Sequence, residues 1–502
     1  MSKPNIIVVV SDQHRGDFMG CAGNRVVDTP NLDALAADGV MFTRHYCNSP
    51  LCVPSRMSMM TGRQPHRIGV FGNEDCLASD VPTFAHALGL GGYETVLCGR
   101  MHFVGPDQRH GYSQRLVGDI TPSYSGGPKT DYGKLAGTSD SDKLSLELAG
   151  EGENPVLAYD EAVTAACVRY LQEASRTERG KPLFMTVGLY GPHNPYTCRQ
   201  DDYARALEAM ERHDKPIAAD ASPHPWIAQT IRASGLDAAS EDMVKKARAN
   251  YIGMVHELDR HIGTIRQAAQ LLKDDTILIY ISDHGDMAGD HGLFWKRSFY
   301  EGAVNVPMIW HAVQPDGGGV SIARGVKVSA PTSLIDLAPT LASISGSPEM
   351  PGLDGADLSP LLRGTLSEQE TARWHERPVF SELNIPNKAP ARMIRFKQYK
   401  MVYYYGHPHP QLFDLDEDPC ELNDLGKDSA YEHVRQQLLE QLTQGWDGEE
   451  LLRIRSAKRP DLDYIKQWGQ HVGMGRLDLW RYEDYMSSTA GRGKGAERNE
   501  AT

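Results

Sequence analysis

The sequence predicts an α/β fold: a mostly parallel central sheet flanked by helices, followed by a smaller C-terminal subdomain with an antiparallel sheet. Three observations carry this expectation. Short, wholly apolar runs at Ile6–Val10, Thr95–Cys98, Leu183–Leu189, Thr276–Ile281 and Pro307–Trp310 read as strands covered on both faces. Helix-like segments lie between them, at Asn31–Asp38, Val81–Leu90, Asp160–Ser175 and Ser240–Leu272, and that alternation favours a parallel sheet. Past a stretch punctuated by Gly346, Pro348, Pro351, Gly352, Gly355 and Gly364, the pattern changes to short strands separated by turns.

Taken in order, Ile6–Val10 ends in Ser11-Asp12-Gln13, and Thr276–Ile281 ends in Ser282-Asp283-His284. Ligands of parallel sheets gather at the carboxyl ends of strands, so these two ends are expected to face one site. In Asp160–Ser175, Val163, Ala166, Cys167, Tyr170 and Leu171 recur at helical spacing and read as core packing. Residues 105–155, rich in Gly, Ser, Asp and Pro, read as a long loop over the site, and 197–240 as a second insertion. The boundary at 345–375 divides the chain into 1–370 and 371–502. In the second part Val379–Leu383, Ala391–Phe396, Lys400–Tyr405 and Gln411–Asp414 read as strands, and about Ala430–Leu442 as a helix. From Ser487 the Gly-, Ser- and charge-rich tail is expected to be mobile.

The chain has 502 residues, 40% of them hydrophobic, which suffices for sizeable cores. Its net charge of −14 argues against general binding to nucleic acid or to an anionic membrane. No apolar run approaches the roughly 20 residues that span a bilayer. Met1-Ser2-Lys3-Pro4 leads straight into a strand-like run without a leader pattern, and the eight cysteines are scattered with no CxxC pair. Reduced thiols and a cytoplasmic location are therefore expected.

Asp12 and Gln13 offer oxygens, while Asp283 and His284 offer an oxygen and a nitrogen. That set suits a hard divalent ion such as calcium, and the histidine extends the choice to manganese or zinc. A lone Asp after a strand more often caps a turn; two such pairs shift the balance towards a metal. Cys52 reads either as a small buried hydrophobe or as a nucleophile activated by Arg56 or His102.

The run Cys52-Val53-Pro54-Ser55-Arg56, followed by Thr61-Gly62-Arg63, resembles the sulfatase signature Cys-x-Pro-Ser-Arg-x(4)-Thr-Gly. The resemblance covers most of residues 4–345 and returns at Gln411 to Pro419. It implies an alkaline-phosphatase-like fold and a cysteine oxidised to Cα-formylglycine by the formylglycine-generating enzyme. It also implies roles for individual residues. Asp12, Gln13, Asp283 and His284, with residue 52, would bind the metal, calcium first and manganese second. The hydrate of residue 52 would attack sulfur with one hydroxyl and release sulfate by losing the proton of the other. Arg56 would hold that hydrate, His102 would orient it and help expel sulfate, and His193 and Lys296 would contact the sulfate and the leaving oxygen. Arg100 and Asn73 would bind substrate.

Gln13 stands where many sulfatases have a second Asp, His284 where Asn is common, and Arg100 where Lys is common. The run Gly99 to Gly111, with Asp119-Ile120, is similar to the choline-sulfatase branch; this chain has Tyr124 and Tyr132 in the following loop but no tryptophan there. The expected activity is hydrolysis of a small organic sulfate ester. Phosphonate or phosphate ester hydrolysis on the same scaffold is the alternative, and a non-catalytic binding protein a third reading. Trp446, Trp468 and Trp480 are expected to support a homo-oligomer.

Overall fold

The computed structural model describes residues 3–127, 132, 135, 137–314, 322–472 and 479–487. Eight strands form the main sheet, in the order Val326–Val328, Gly39–Phe42, Met308–Ala312, Thr276–Ser282, Asn5–Asp12, Leu183–Pro192, Glu94–Gly99, Gln114–Arg115. All pairings are parallel except the two made by Met308–Ala312. The central strand Asn5–Asp12 is buried along its whole length, which is why it reads as one continuous apolar run rather than an alternation. Its odd and even residues feed two different cores. Ile7 and Val9 pack with Val163, Leu171, Leu258 and Ile262, from the helices Pro155–Arg176 and Glu241–Ala269. Ile6, Val8 and Val10 pack with Met57, Met60, Phe84, Leu88 and Leu341, from Cys52–Thr61, Phe84–Leu90 and Leu337–Ser345. The sheet is thus sandwiched between two helical layers.

The long helices start where local chemistry starts them. Asn154 Oδ1 accepts from the amides of Val156 (2.8 Å) and Leu157 (3.2 Å) with Pro155 next to it, and Ser240 Oγ accepts from Met243 N. Two readings of the sequence need correction. The segment 105–155 is not all loop: Gln114–Arg115 extends the main sheet, and Leu144–Glu147 is a helical turn. The insertion at 197–240 contains two helices, Gln200–His213 and Pro225–Ala233.

The second sheet is an antiparallel meander, Val379–Leu383, Ala391–Phe396, Tyr399–Tyr404, Gln411–Asp414. The helix Glu432–Thr443 packs on it, with Leu438 and Leu442 against Ile394, Met401 and Leu412. A 25-residue helix, Gly448–Val472, follows. The tryptophans expected to meet a partner chain pack on their own: Trp446 on Tyr403, Trp468 on Tyr124 and Trp480 on Tyr159. The tail beyond Ser487 lies outside the described residues.

Candidate active site

Register places the first pair of site residues. Ser11 pairs with Ser282 between parallel strands, so Asp12 and Asp283 leave the sheet side by side. The helix Cys52–Thr61 points its first turn at them. Leu51, at its N-cap, has no side chain to cap with; Asn73 supplies the missing acceptor, its Oδ1 taking the amide of Val53 at 3.0 Å. Asn73, expected at the substrate, therefore fixes the helix that carries Cys52. The helix ends at Gly62 in the left-handed region (φ 66°), its amide bonded to Ser58 O. A Cβ there would lie 2.4 Å from Leu353 Cδ2, which explains why Thr61-Gly62 belongs to the motif.

Asp12, Cys52, Asp283 and His284 bring one ligand atom each within 4.8 Å of one another, all buried. His284 Nδ1 lies 3.0 Å from Gly285 O, to which it can only donate. That leaves the lone pair of Nε2 facing Cys52 Sγ (3.1 Å), Asp12 Oδ1 (3.6 Å) and Asp283 Oδ1 (3.7 Å), as a metal-ligating imidazole requires. Two carboxylates and an imidazole thus fit a divalent cation. Gln13 adjoins them in a left-handed conformation (φ 71°). Its Nε2 donates to Asp286 Oδ2 (2.6 Å) and Asn194 Oδ1 (3.2 Å), and its Oε1 accepts from Lys296 Nζ (2.6 Å).

The cations are equally ordered. Arg56 donates Nε to Asp283 (2.7 Å), one terminal nitrogen to Asp12 (3.1 Å) and the other to the carbonyl of Arg100 (3.0 Å). Arg100 donates to Asp12 (2.7 Å) and Asp119 (3.0 Å). It reaches the site because residue 188 is glycine; a Cβ on Gly188 would sit 1.7 Å from Arg100 O. Burial raises the Asp12 pKa and the Cys52 sulfur raises it further, yet Arg100, His193 and Arg56 hold it at about 2.

Four groups converge on Cys52. Burial opposes its ionisation, but Lys296, His284, His102 and His193 push the thiol well below its ordinary range. Arg100 also donates to His102 Nδ1 at 2.7 Å. A guanidinium has no acceptor, so Nδ1 accepts and the proton of a neutral His102 sits on Nε2. Burial and then Arg100 lower the His102 pKa, favouring this neutral form, and His102 is bonded to Cys52 as a donor. His193 is set the other way round. Its Nδ1 donates to Asn194 O (2.6 Å), and its Nε2 meets Lys296 Nζ in a short contact.

Every site residue expected from the sequence gathers here. Four were missed. Asp286 accepts from Gln13, Tyr196 OH (2.7 Å) and the amides of Ala288 (2.7 Å) and Trp295 (2.9 Å). Asn194 holds Gln13, Asp119 holds Arg100 and the His102 amide (2.8 Å), and Arg297 stands at the mouth. Asp119 carries a sequence signal only through the family resemblance of Gly99 to Gly111 with Asp119-Ile120. The others carried no local signal, since each acts on a residue distant in sequence.

Comparison with known proteins gives this geometry its context. The sulfatase family model matches residues 4–347, and an N-sulphoglucosamine sulphohydrolase C-terminal model matches 289–447. The choline-sulfatase of Rhizobium meliloti is 34% identical over 444 residues, covering 85% of this chain and 83% of that protein. Human arylsulfatase K is 29% identical over 444 residues, covering 84% and 78%. The phosphonate monoester hydrolase of Agrobacterium radiobacter superposes with a TM-score of 0.69 at 25% identity, covering 91% and 96%. A family model spanning most of the chain, on a fold whose signature cysteine meets two strand-end carboxylates, leads to one conclusion: this chain belongs to the sulfatase family and is a sulfatase enzyme.

Proposed function

We propose that the protein hydrolyses small organic sulfate monoesters, with Cys52 matured to Cα-formylglycine as the nucleophile. The observation that carries this reading is the meeting of residue 52 with His284 Nε2 at 3.1 Å, beside Asp12 and Asp283. Asp12, Gln13, Asp283 and His284 would hold a divalent cation, calcium or alternatively manganese, which when bound offsets charge on the sulfate oxygens. Arg56 and Arg100 keep Asp12 ionised and fixed. His102 donates Nε2–H to the oxygen of residue 52 and so orients it. Lys296 Nζ and His193 Nε2 meet next to the same atom; His193 is the group placed to give a proton to the leaving alcohol.

Phosphonate monoester hydrolysis is the second reading, favoured by the structural likeness to the Agrobacterium enzyme. The eight cysteines, five of them buried, form no disulfide, which supports a reducing compartment and hence a cytoplasmic location. Tyr464, Ile465 and Val472, exposed on the C-terminal helix, support a homo-oligomer. The deciding experiment is co-production with the formylglycine-generating enzyme, intact mass of the peptide holding residue 52, and kcat/KM on matched aryl sulfate and aryl phosphonate esters. Conversion of residue 52 with faster sulfate turnover is expected; far faster phosphonate turnover would establish the second reading instead.

A further inference from the structure

Next to the catalytic cluster lies an open cleft of about 440 Å³, lined by Leu51, Asn73, Val104, Pro122, Tyr124 and Arg297. Leu51 immediately precedes Cys52, and Asn73 is bonded to Val53, so this cleft is where the alcohol part of an ester would extend. Its walls are apolar and polar in nearly equal parts, and one feature stands out against them. The Nε of Arg297 is buried and makes no hydrogen bond. No ion pair to this guanidinium occurs among the described residues, in contrast to Arg56 and Arg100. Burial lowers its pKa; the Cys52 sulfur and then Asp140 oppose that.

The local backbone shows that this placement is imposed. Trp295 and Arg297 both adopt left-handed φ angles, 60° and 69°, unusual for such side chains. Trp295 is pinned by its amide on Asp286 Oδ1 (2.9 Å) and its indole on Ser145 Oγ (3.0 Å). The Arg297 amide reaches Pro50 O at 3.3 Å. The segment that sends Lys296 inward thus sends Arg297 to the mouth. Its charge is felt nearby: burial and then Arg297 lower the Lys388 pKa to about 7. The acidic residue that shares the cleft, Glu74, already pairs with Arg459 at 3.1 Å.

We propose that Arg297 selects sulfate esters whose alcohol carries a second anionic group, a carboxylate on a ring-like body, and disfavours alcohols bearing a quaternary ammonium. The inference rests on the sulfate-ester reading above. A carboxylate would take up the unused donors in a charge-assisted fork, and the apolar part of the lining, Leu51, Val104, Pro122 and Tyr124, would hold the ring.

The test uses matured full-length enzyme and the 2-, 3- and 4-carboxyphenyl sulfates, each against its carboxamide analogue, with choline sulfate as a cationic ester. At least one carboxylate isomer should exceed its carboxamide in kcat/KM by roughly tenfold or more, mainly through KM. Arg297→Gln should collapse that ratio towards one, and Arg297→Lys should retain part of it. Choline sulfate should be poorer than the neutral esters. Thermal melts of both variants check that they fold; if Arg297→Gln does not, the wild-type and Arg297→Lys ratios decide. Turnover of every pair without preference, or choline sulfate as the best ester, overturns this inference alone. Absence of turnover on all esters, with residue 52 shown by mass to be converted, overturns the sulfate-ester reading and this inference with it.

Discussion

At the floor of the site Arg56 and Arg100 are each locked by two carboxylates, Asp12 and Asp283 for one, Asp12 and Asp119 for the other. At the mouth, Arg297 lines the cleft with its Nε unbonded. The same residue type serves two purposes. A guanidinium with its donors spent on the protein sets a field and a geometry before any ligand arrives; one with donors to spare is a recognition element waiting for an acceptor. The floor suits any sulfate group, and the mouth discriminates among what is attached to it.

That contrast can be broken from the floor outwards. Replacing the nucleophile should have the largest effect. Cys52→Ala should lower turnover by roughly four orders of magnitude or more while the thermal melt stays cooperative, because a small buried side chain is exchanged for another; rates near wild type would refute the assignment. His193→Ala comes next. It should slow esters of poor leaving groups by about 10²–10⁴ and activated aryl esters much less, so the dependence of rate on leaving-group pKa should steepen. A uniform loss across leaving groups would remove its acid role.

Asp286→Ala probes the support beneath the floor. Freed from Asp286, the Gln13 amide loses its orientation, and cation affinity in a metal titration should fall by about 10–100-fold; unchanged affinity would show that Gln13 is held well enough by Asn194 and Lys296. The smallest effect concerns Asp160, which accepts the amides of Tyr190 (2.7 Å) and Gly191 (2.8 Å) at the start of the loop bearing His193. Burial raises its pKa from 3.8 to about 7. A carboxyl group that binds its proton more tightly when folded contributes stability that is complete below about 4 and is lost as pH rises through about 7. Between pH 5 and 8 the melting temperature of Asp160→Asn should therefore fall less than that of wild type; parallel slopes would assign the titration elsewhere.

Much of this was legible in the sequence for identifiable reasons. Strands covered on both faces show as unbroken apolar runs, so Ile6–Val10 and Thr276–Ile281 and the residues at their ends were visible. The antiparallel strands came through because turns separate them at close intervals. What stayed hidden depends on partners distant along the chain. Cys52–Thr61 did not read as a helix because Leu51 cannot cap it and the acceptor comes from Asn73. Gln114–Arg115 is two residues long and gains its identity only by pairing with Val96 and Leu97. Trp446, Trp468 and Trp480 suggested an interface because large aromatics in a polar tail region look unpartnered until the fold supplies Tyr403, Tyr124 and Tyr159.

The signature cysteine is 1% exposed, at the head of a helix buried along its whole length. No modifying enzyme could reach that sulfur once the two helical layers have closed on the sheet. If residue 52 is oxidised as proposed, the reaction must happen on a nascent or still-open polypeptide, in a race against collapse. The active fraction of any preparation would then be fixed at birth, by how long the segment around Pro54 lingers unfolded, and no later treatment of the native protein would raise it.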